Sequence, residues 1–178
     1  MSARTRPWTR AEYERLIEIG VFRVDEPVEL LGGQLIVSEP EGSAHYTAVL
    51  LAEEALRAAL GAGWLVRTQG PIALDDESEP EPDIAAVPGR ARDYSRAHPV
   101  RPALVVEVAE TSLAHDRAYK GSLYALDRVL EVYRQPIPDA AAPFGWRYAS
   151  KQVLDPPPSS VTPLAVAGAR IVVSDLLP

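Results

Sequence analysis

The sequence predicts a single α/β domain over residues 1–178, in which helices flank a mixed, partly antiparallel sheet. Two observations lead to this prediction. Short apolar runs bounded by glycine or proline alternate with helical repeats, and one nearly continuous apolar run covers residues 103–109. A run of this kind is typical of a strand buried on both faces. The 178 residues suffice for one sizeable core but not comfortably for two.

Two helices separated by a hairpin are predicted at the amino-terminal end. Thr9 and Glu12 have the spacing of a capping box, and the helical pattern that follows them stops at Gly20. Two short apolar runs on either side of the glycines at 32–33 predict a β-hairpin. Ser43 caps a second helix, whose apolar pattern continues to a glycine-rich stop.

The middle of the chain contains most of the predicted strands. These strands cover residues 64–68, 71–74, 84–87 and 103–109. The last of them should lie at the centre of the sheet. Residues 75–82 form an acidic, proline-punctuated loop, and residues 88–102 form an arginine- and proline-rich loop, long enough to suggest a functional role. Thr111 or Ser112 caps the helix that follows.

The carboxyl-terminal third has a less decisive pattern. Apolar residues at 123–133 recur at helical spacing, yet residues 129–133 also alternate as in a strand, and both interpretations stay open. Beyond them the pattern predicts an edge strand at 170–173, and a strand at 146–153 between proline-rich loops at 136–143 and 156–163.

Composition restricts the chemistry that the chain supports. The absence of cysteine excludes disulfides, thiolate nucleophiles and cysteine-ligated zinc, and three scattered histidines argue against a histidine-rich metal site. Any bound metal should therefore be held by oxygen. No apolar run approaches the roughly 20 residues that cross a bilayer, and the amino terminus lacks a signal-like segment. We expect a cytoplasmic protein without membrane association.

The net charge of −7 argues against indiscriminate binding to nucleic acid, which usually depends on a basic surface. The acidity is concentrated partly in residues 75–81, directly before Asp83, where a metal site would account for some of it. The arginines between Arg90 and Arg101 supply a local basic patch. The sign of the total charge therefore does not decide whether the protein binds nucleic acid.

Glu107 is the most informative residue, because it interrupts a run that is otherwise apolar. Burying an unpaired carboxylate costs several kcal/mol or forces a large pKa shift. A divalent cation shared with Asp83, which follows Pro82 at the start of a strand, would offset that cost, and carboxylate oxygens with retained waters suit magnesium. The alternatives are a turn aspartate at Asp83 and a solvent-facing glutamate at Glu107.

Three further polar residues share one stripe of the helix after that strand. Asp116, Lys120 and Tyr124 are spaced four residues apart. They form either a surface ion pair or a site in which Lys120 points back toward the carboxylates, where its ammonium would orient an attacking water and stabilise charge on a phosphate. Glu29, in the hairpin, is either a third acid near the metal or a solvent-facing residue.

The remaining polar candidates are weaker. His45 lies in the first turn of its helix, and we interpret it as a surface or capping residue. The same interpretation applies to His98, in a loop, and to His115. Gln69 ends a predicted strand, and no spacing connects it to the acids.

Several of these residues belong to one larger combination, which is Pro82-Asp83, Glu107-Val108-Ala109, Thr111-Ser112, Asp116-x-x-x-Lys120-x-x-x-Tyr124, Trp8-Thr9 with Tyr13, Val28-Glu29-Leu30-Leu31 with Gly33, Gly42-x-x-His45 and Gln69-x-Pro71-Ile72. In this combination the chain resembles the Uma-type restriction endonucleases, a branch of the PD-(D/E)XK nuclease superfamily. The resemblance extends over most of the chain. In most of that superfamily the lysine stands two residues after the second acid, where this chain has Ala109. Lys120 resembles a lysine moved onto the following helix.

The resemblance implies a restriction-endonuclease-like core and hydrolysis of DNA phosphodiester bonds with Mg²⁺ or Mn²⁺. It implies that Asp83 and Glu107 hold the metal and that Glu29 supports it. Lys120 would position the water and the scissile phosphate. By analogy with isolated members of such families, we also expect a homodimer in which each subunit cuts one strand.

The chain departs from the family pattern after Tyr124. Family members usually continue there with a glycine-containing turn and an aromatic-rich core strand, whereas here Ala125 runs almost directly into the Leu-Glu-Val-Tyr-Arg stretch at 130–134. One sheet strand is therefore expected to be missing. This departure supports an alternative function, a noncatalytic remnant that acts as an interaction or nucleic-acid-binding module. A small metal hydrolase acting on a phosphorylated metabolite is a third interpretation, and it would need a closed pocket.

Overall fold

The computed structural model describes residues 4–38, 42–108, 133–152, 154 and 159–176. The fold is mixed α/β, with two α-helices and several antiparallel sheets in these residues, which confirms the predicted class. In chain order the elements are α1 (Arg10–Glu18), β1 (Val28–Leu31), β2 (Gln34–Val37), α2 (Ser43–Leu60), β3 (Trp64–Thr68), β4 (Ile84–Pro88), a 3₁₀ turn (Ala91–Tyr94), β5 (Leu104–Val106), β6 (Tyr133–Pro138), β7 (Trp146–Lys151), β8 (Ser160–Val161), β9 (Ile171–Val172) and a second 3₁₀ turn (Val173–Leu176).

Helix α1 begins as the sequence predicts. The side chain of Thr9 accepts a hydrogen bond from the backbone N–H of Glu12, and the Glu12 carboxylate accepts one from the Thr9 N–H, which completes the capping box. The buried Tyr13 donates its hydroxyl to the carbonyl of Val28 over 2.6 Å. This bond attaches α1 to the first strand of the hairpin.

The hairpin of β1 and β2 is held to the acidic loop at residues 75–82. The two strands pair antiparallel around the glycine turn at 32–33, as predicted. Across to the loop, the Gly33 N–H donates to the carbonyl of Glu77 over 2.7 Å, and the Glu79 N–H donates to the carbonyl of Leu30 over 2.7 Å. Ser78 accepts a further bond from the Gly32 N–H. The loop is therefore fixed by backbone bonds rather than only by its prolines.

The central sheet has the order β3-β4-β5, and both of its pairings are antiparallel. One face packs against α2, where the core contains Val49, Ala52, Leu56, Val66, Ile84, Ala86 and Leu104. The other face packs on the hairpin and its loop, and its core contains Leu31, Ile72, Leu74, Ala85 and Val105. Successive residues of β4 thus alternate between two buried layers, because strand side chains point to opposite faces.

Two strand predictions are wrong. Residues 71–74 form no strand, because three of their backbone N–H groups donate to Pro80, Pro99 and Ser78 in two different loops. Of the run predicted at 103–109, the structure describes residues 103–108, and within them a strand covers Leu104–Val106. Among the described strands β4, rather than β5, occupies the middle of the sheet.

The carboxyl-terminal part forms two smaller antiparallel pairs. Strand β6 pairs with β7 and includes Pro136 and Pro138, so the predicted loop at 136–143 is wrong at its start. A proline is accommodated there because, in the described part of the chain, β6 has a partner on one side only. Strand β9 lies within the predicted edge strand at 170–173 and pairs with β8. No helix among the described residues has the length and apolarity that a membrane span requires.

Candidate functional site

The end of the central sheet lies next to two of the predicted acids. Thr68 pairs with Ile84, and Ile84 pairs with Val106. Asp83 directly precedes Ile84 and Glu107 directly follows Val106, so the two acids flank the last paired residues at the same end of the sheet. The Gln69 N–H donates to the Asp83 carbonyl over 2.9 Å, which places Gln69 at this end as well.

The Asp83 carboxylate is buried, with 7% of the residue exposed, and it has two partners on one oxygen. Its Oδ2 accepts a hydrogen bond from the Val108 N–H over 2.7 Å and lies 3.3 Å from Nε2 of His45. Val108 directly follows Glu107, so this bond ties Asp83 to the strand end that carries the second acid. Glu107 itself is half-buried. A turn aspartate facing solvent does not describe Asp83.

The predicted surface position of His45 is wrong. His45 is 3% exposed and contacts Asp83 from the first turn of α2. The signal was present in the sequence, because His45, Val49, Ala52 and Leu56 recur at the spacing of the buried stripe of this helix. A histidine on that stripe has to find a polar partner, since leaving a buried ring nitrogen without one is costly. Asp83 is that partner for Nε2.

Glu29 is buried, so its solvent-facing interpretation is wrong. The residue is 4% exposed, and its Oε2 accepts a hydrogen bond from the N–H of Glu81 over 3.1 Å. Its Oε1 lies 3.4 Å from the hydroxyl of Ser38, which donates to it. Glu29 therefore holds the segment that leads through Pro82 into Asp83. Its role as a support of a metal stays a prediction.

Lys120 lies outside the described residues, as do Asp116, Tyr124 and His115. The segment in which a sheet strand was expected to be missing, between Tyr124 and residue 130, lies outside them as well. The role assigned to Lys120 therefore stays a prediction.

A second group of ionisable residues surrounds Glu79, which sequence reasoning did not single out. Glu79 is 2% exposed, and burial raises its pKa to about 7, with a further increase from the nearby Glu14 carboxylate. Two basic side chains approach it only to 4.0 Å, namely the Arg10 guanidinium at Oε2 and the His98 imidazole at Oε1. Arg10 is engaged more closely with Glu14, at 2.7 Å, which explains why it does not offset the burial of Glu79. The pKa of His98 is lowered by its partial burial and by Arg67.

The residues around Asp83 fit a hard divalent cation. The described residues contain no group of three histidine, aspartate or glutamate side chains placed to hold a metal ion. Magnesium, however, is usually held by one or two carboxylates together with waters and substrate phosphate. Asp83 and Glu107, at the same end of the sheet, are two such carboxylates, and Oδ1 of Asp83 accepts no hydrogen bond from the described residues. The donor set is thus suited to magnesium or manganese.

Comparison with protein-family models identifies the family of the chain. The model of the family Uma2, described as "Putative restriction endonuclease", matches residues 10–173, which include every predicted site residue. A comparison with curated proteins found no match.

Proposed function

Because the chain belongs to the Uma2 family of restriction endonucleases, we propose that it hydrolyses phosphodiester bonds of DNA with a divalent metal, Mg²⁺ or Mn²⁺. Its mixed α/β architecture is that of a restriction-endonuclease-like fold. The observation that supports the proposal is the buried Asp83 carboxylate, whose Oδ2 accepts a hydrogen bond from the N–H of Val108, the residue that directly follows Glu107. A divalent cation held by Asp83 and Glu107 would offset the cost of burying their charges.

In the proposed mechanism each carboxylate has a defined task. Asp83 and Glu107 hold the metal, which when bound lowers the pKa of its water and neutralises charge on the phosphate. The Val108 N–H and His45 fix the orientation of Asp83 through its Oδ2. Glu29 keeps the chain before Asp83 in place by accepting from the Glu81 N–H. These bonds make the position of Asp83 independent of substrate, which is what preorganised catalysis requires.

Lys120 completes the proposed set. Its ammonium would position the attacking water and the scissile phosphate, a role that depends on charge rather than on metal binding. We further propose that residues 1–178 form one domain and act as a cytoplasmic homodimer, a symmetry that would suit cleavage of both strands of a two-fold symmetric site.

The alternative function is a noncatalytic remnant of the fold that binds a partner or nucleic acid. The net charge of −7 favours it, because most DNA-binding surfaces carry an excess of positive charge. A remnant would retain the fold and lose metal-dependent cleavage.

The test measures thermal unfolding with and without Mg²⁺ or Mn²⁺, and cleavage of plasmid and genomic DNA, on the same preparations. We expect the metals to raise the melting temperature of the wild type, because a ligand that binds only the folded state stabilises it. Asp83→Asn and Glu107→Gln should lose both this increment and cleavage. Lys120→Ala should keep the increment and lose cleavage, because the proposed role of Lys120 acts on the water and the phosphate rather than on the metal.

Glu79→Gln is the matched control, since Glu79 is also buried, in the loop directly before Asp83, but belongs to the other group of acids. This variant should keep both the rise in melting temperature with Mg²⁺ or Mn²⁺ and the cleavage of DNA. Wild-type protein that binds the metals but cuts no DNA over a range of salt concentrations would favour the remnant. An unchanged metal increment in the Asp83→Asn, Glu107→Gln double variant would show that the ion binds elsewhere.

A further inference from the structure

Arg67 is a half-buried cation on β3 without a carboxylate partner in the described part of the chain. No described aspartate or glutamate forms an ion pair with it, whereas Arg57, the next arginine toward the amino terminus, is paired with Glu53 at 2.6 Å. Burial lowers the pKa of the Arg67 guanidinium. A partly desolvated cation that is not neutralised by the protein costs stability. Such a residue is more readily explained by an anion that binds to it than by the fold.

The guanidinium of Arg67 is held in one place by two features. Its Cζ lies 6.0 Å from the centroid of the Tyr94 ring, at the distance of a cation–π contact. The Tyr94 ring is itself fixed, because its hydroxyl donates to the carbonyl of Pro88 over 2.5 Å. On the other side the guanidinium passes beside Gly70, where an added Cβ would lie 3.1 Å from Nη2. A planar group fixed in this way is suited to binding an anion through paired N–H donors.

The position of Arg67 relative to Asp83 follows from the sheet register. Arg67 pairs with Ala85, two residues along β4 from Asp83, which corresponds to roughly 7 Å along the strands. Its side chain reaches toward Gly70, the end of β3 at which Asp83 enters the sheet. The guanidinium therefore lies on the side of the proposed metal site rather than at the far end of the sheet.

The loop that contacts Arg67 through Tyr94 is basic, although the whole chain is negative. Tyr94 belongs to the loop at 88–102, which carries four exposed arginines, namely Arg90, Arg92, Arg96 and Arg101. Their one acidic neighbour, Asp93, accepts from the backbone N–H of Arg90 within the 3₁₀ turn. A local basic segment beside an acidic metal site is the charge pattern that an enzyme acting on a polyanion needs.

We propose that Arg67, stacked on Tyr94, is an anchor for a backbone phosphate of the DNA strand next to the scissile phosphate. This proposal rests on the proposed nuclease function. Arg67 is a positioning residue in this proposal. Its fork of N–H donors fixes the position of the DNA strand on the protein's sheet, while the metal site acts on the neighbouring phosphate. The contact reads no bases, so it should contribute to binding of any duplex sequence.

The test measures binding of a fluorescein-labelled duplex by anisotropy over a series of salt concentrations, in Asp83→Asn protein so that no cleavage intervenes. Arg67→Gln should weaken binding roughly tenfold, as expected for one charge-assisted contact, and should lower the slope of log affinity against log salt by about 1. Arg15→Gln is the matched control, because Arg15 is exposed on α1 and paired with Glu18. It should leave affinity and slope unchanged.

A melting temperature recorded for each variant separates this role from a structural one. Arg67→Gln should unfold at the same temperature as its parent or higher, because it removes a partly desolvated cation. If the glutamine variant does not fold, Arg67→Lys replaces it, and the lysine variant should keep the salt slope but bind several-fold more weakly because it loses the planar fork.

Equal affinity and equal slope in Arg67→Gln and its parent would overturn the proposal, as would a lysine variant that binds as tightly as the parent. If the wild type nevertheless cuts DNA with metal, the proposed function stands and only the anchor is wrong. If the wild type neither binds nor cuts DNA, both proposals fall together.

Discussion

Asp83 and Glu79 are two buried acids only four residues apart in the chain, yet they lie in different surroundings. Asp83 accepts a backbone hydrogen bond over 2.7 Å and contacts His45. Within the described residues, Oε2 of Glu79 accepts no hydrogen bond, and the Arg10 guanidinium and the His98 imidazole lie 4.0 Å from its carboxylate. Correspondingly, burial raises the pKa of Glu79 to about 7.

The comparison shows that burial alone does not determine how well an acid is compensated. Glu79 lies 4.0 Å from Arg10, which pairs more closely with Glu14, and its pKa is raised. Asp83 instead accepts a backbone hydrogen bond at the end of the sheet, and no described arginine or lysine is paired with it. We therefore expect Glu79 to be the acid whose negative charge costs stability. The following three variants test this distinction.

The largest effect on stability is expected for Glu79→Gln. An acid whose pKa is raised on folding binds its proton more tightly in the folded state. Protonation of Glu79 therefore stabilises the folded protein at low pH, and this contribution to the free energy of unfolding is lost as pH rises from about 4.5 through about 7. Glutamine keeps the shape without the charge. Above pH 7 the variant should therefore be more stable than the wild type by about 2 kcal/mol.

Urea unfolding at several values between pH 4 and pH 9 checks this prediction by comparing free energies of unfolding. The wild type should lose stability through the window between about 4.5 and 7 relative to the variant, and the difference should vanish below it. A variant that is less stable than the wild type at pH 8 would mean that the ionised Glu79 is well paired, and the contrast with Asp83 would disappear.

An intermediate effect is expected for Tyr13→Phe. Tyr13 donates to the Val28 carbonyl beside the same acids, and burial, followed by the charges of Glu81, Glu79 and Glu29, raises its pKa. Loss of the hydroxyl leaves a buried carbonyl without its donor, which should cost roughly 1 to 2 kcal/mol. Urea unfolding measures the loss. The increment in melting temperature with Mg²⁺ should be the same as in the wild type, and a reduced increment would show that the two groups of acids are coupled.

The smallest effect is expected for Arg10→Gln. Arg10 lowers the pKa of Glu79, although less than burial raises it, so its removal should raise that pKa further. The loss of stability with increasing pH should then extend to a higher pH than in the wild type. The variant also loses the bond from Nε to the Asp75 carbonyl, at a cost of about 1 kcal/mol. If the pH dependence is unchanged, Arg10 does not act on Glu79 and its partner is Glu14 alone.

The candidate site was only partly predictable from the sequence. Glu107 was identified because it interrupts an apolar run, and Asp83 because it opens the neighbouring one; the pairing of Ile84 with Val106 brings both to the same end of the sheet. His45 was misjudged because its position in the first turn was considered and its place on the buried stripe of α2 was not. Glu79 was missed because an acid in an acidic loop gives no sign of which member will be buried.

The sequence by itself determined the local elements, for a physical reason that is local as well. A capping box starts α1, a glycine pair turns the hairpin, and an apolar stripe defines α2, and each depends on residues within a few positions of one another. Only the tertiary structure decided that residues 71–74 donate to two loops instead of pairing as a strand, and that β4 lies between its two neighbours. It also decided which buried acids have hydrogen-bond donors and which do not, because those donors come from residues up to 52 positions away in the chain.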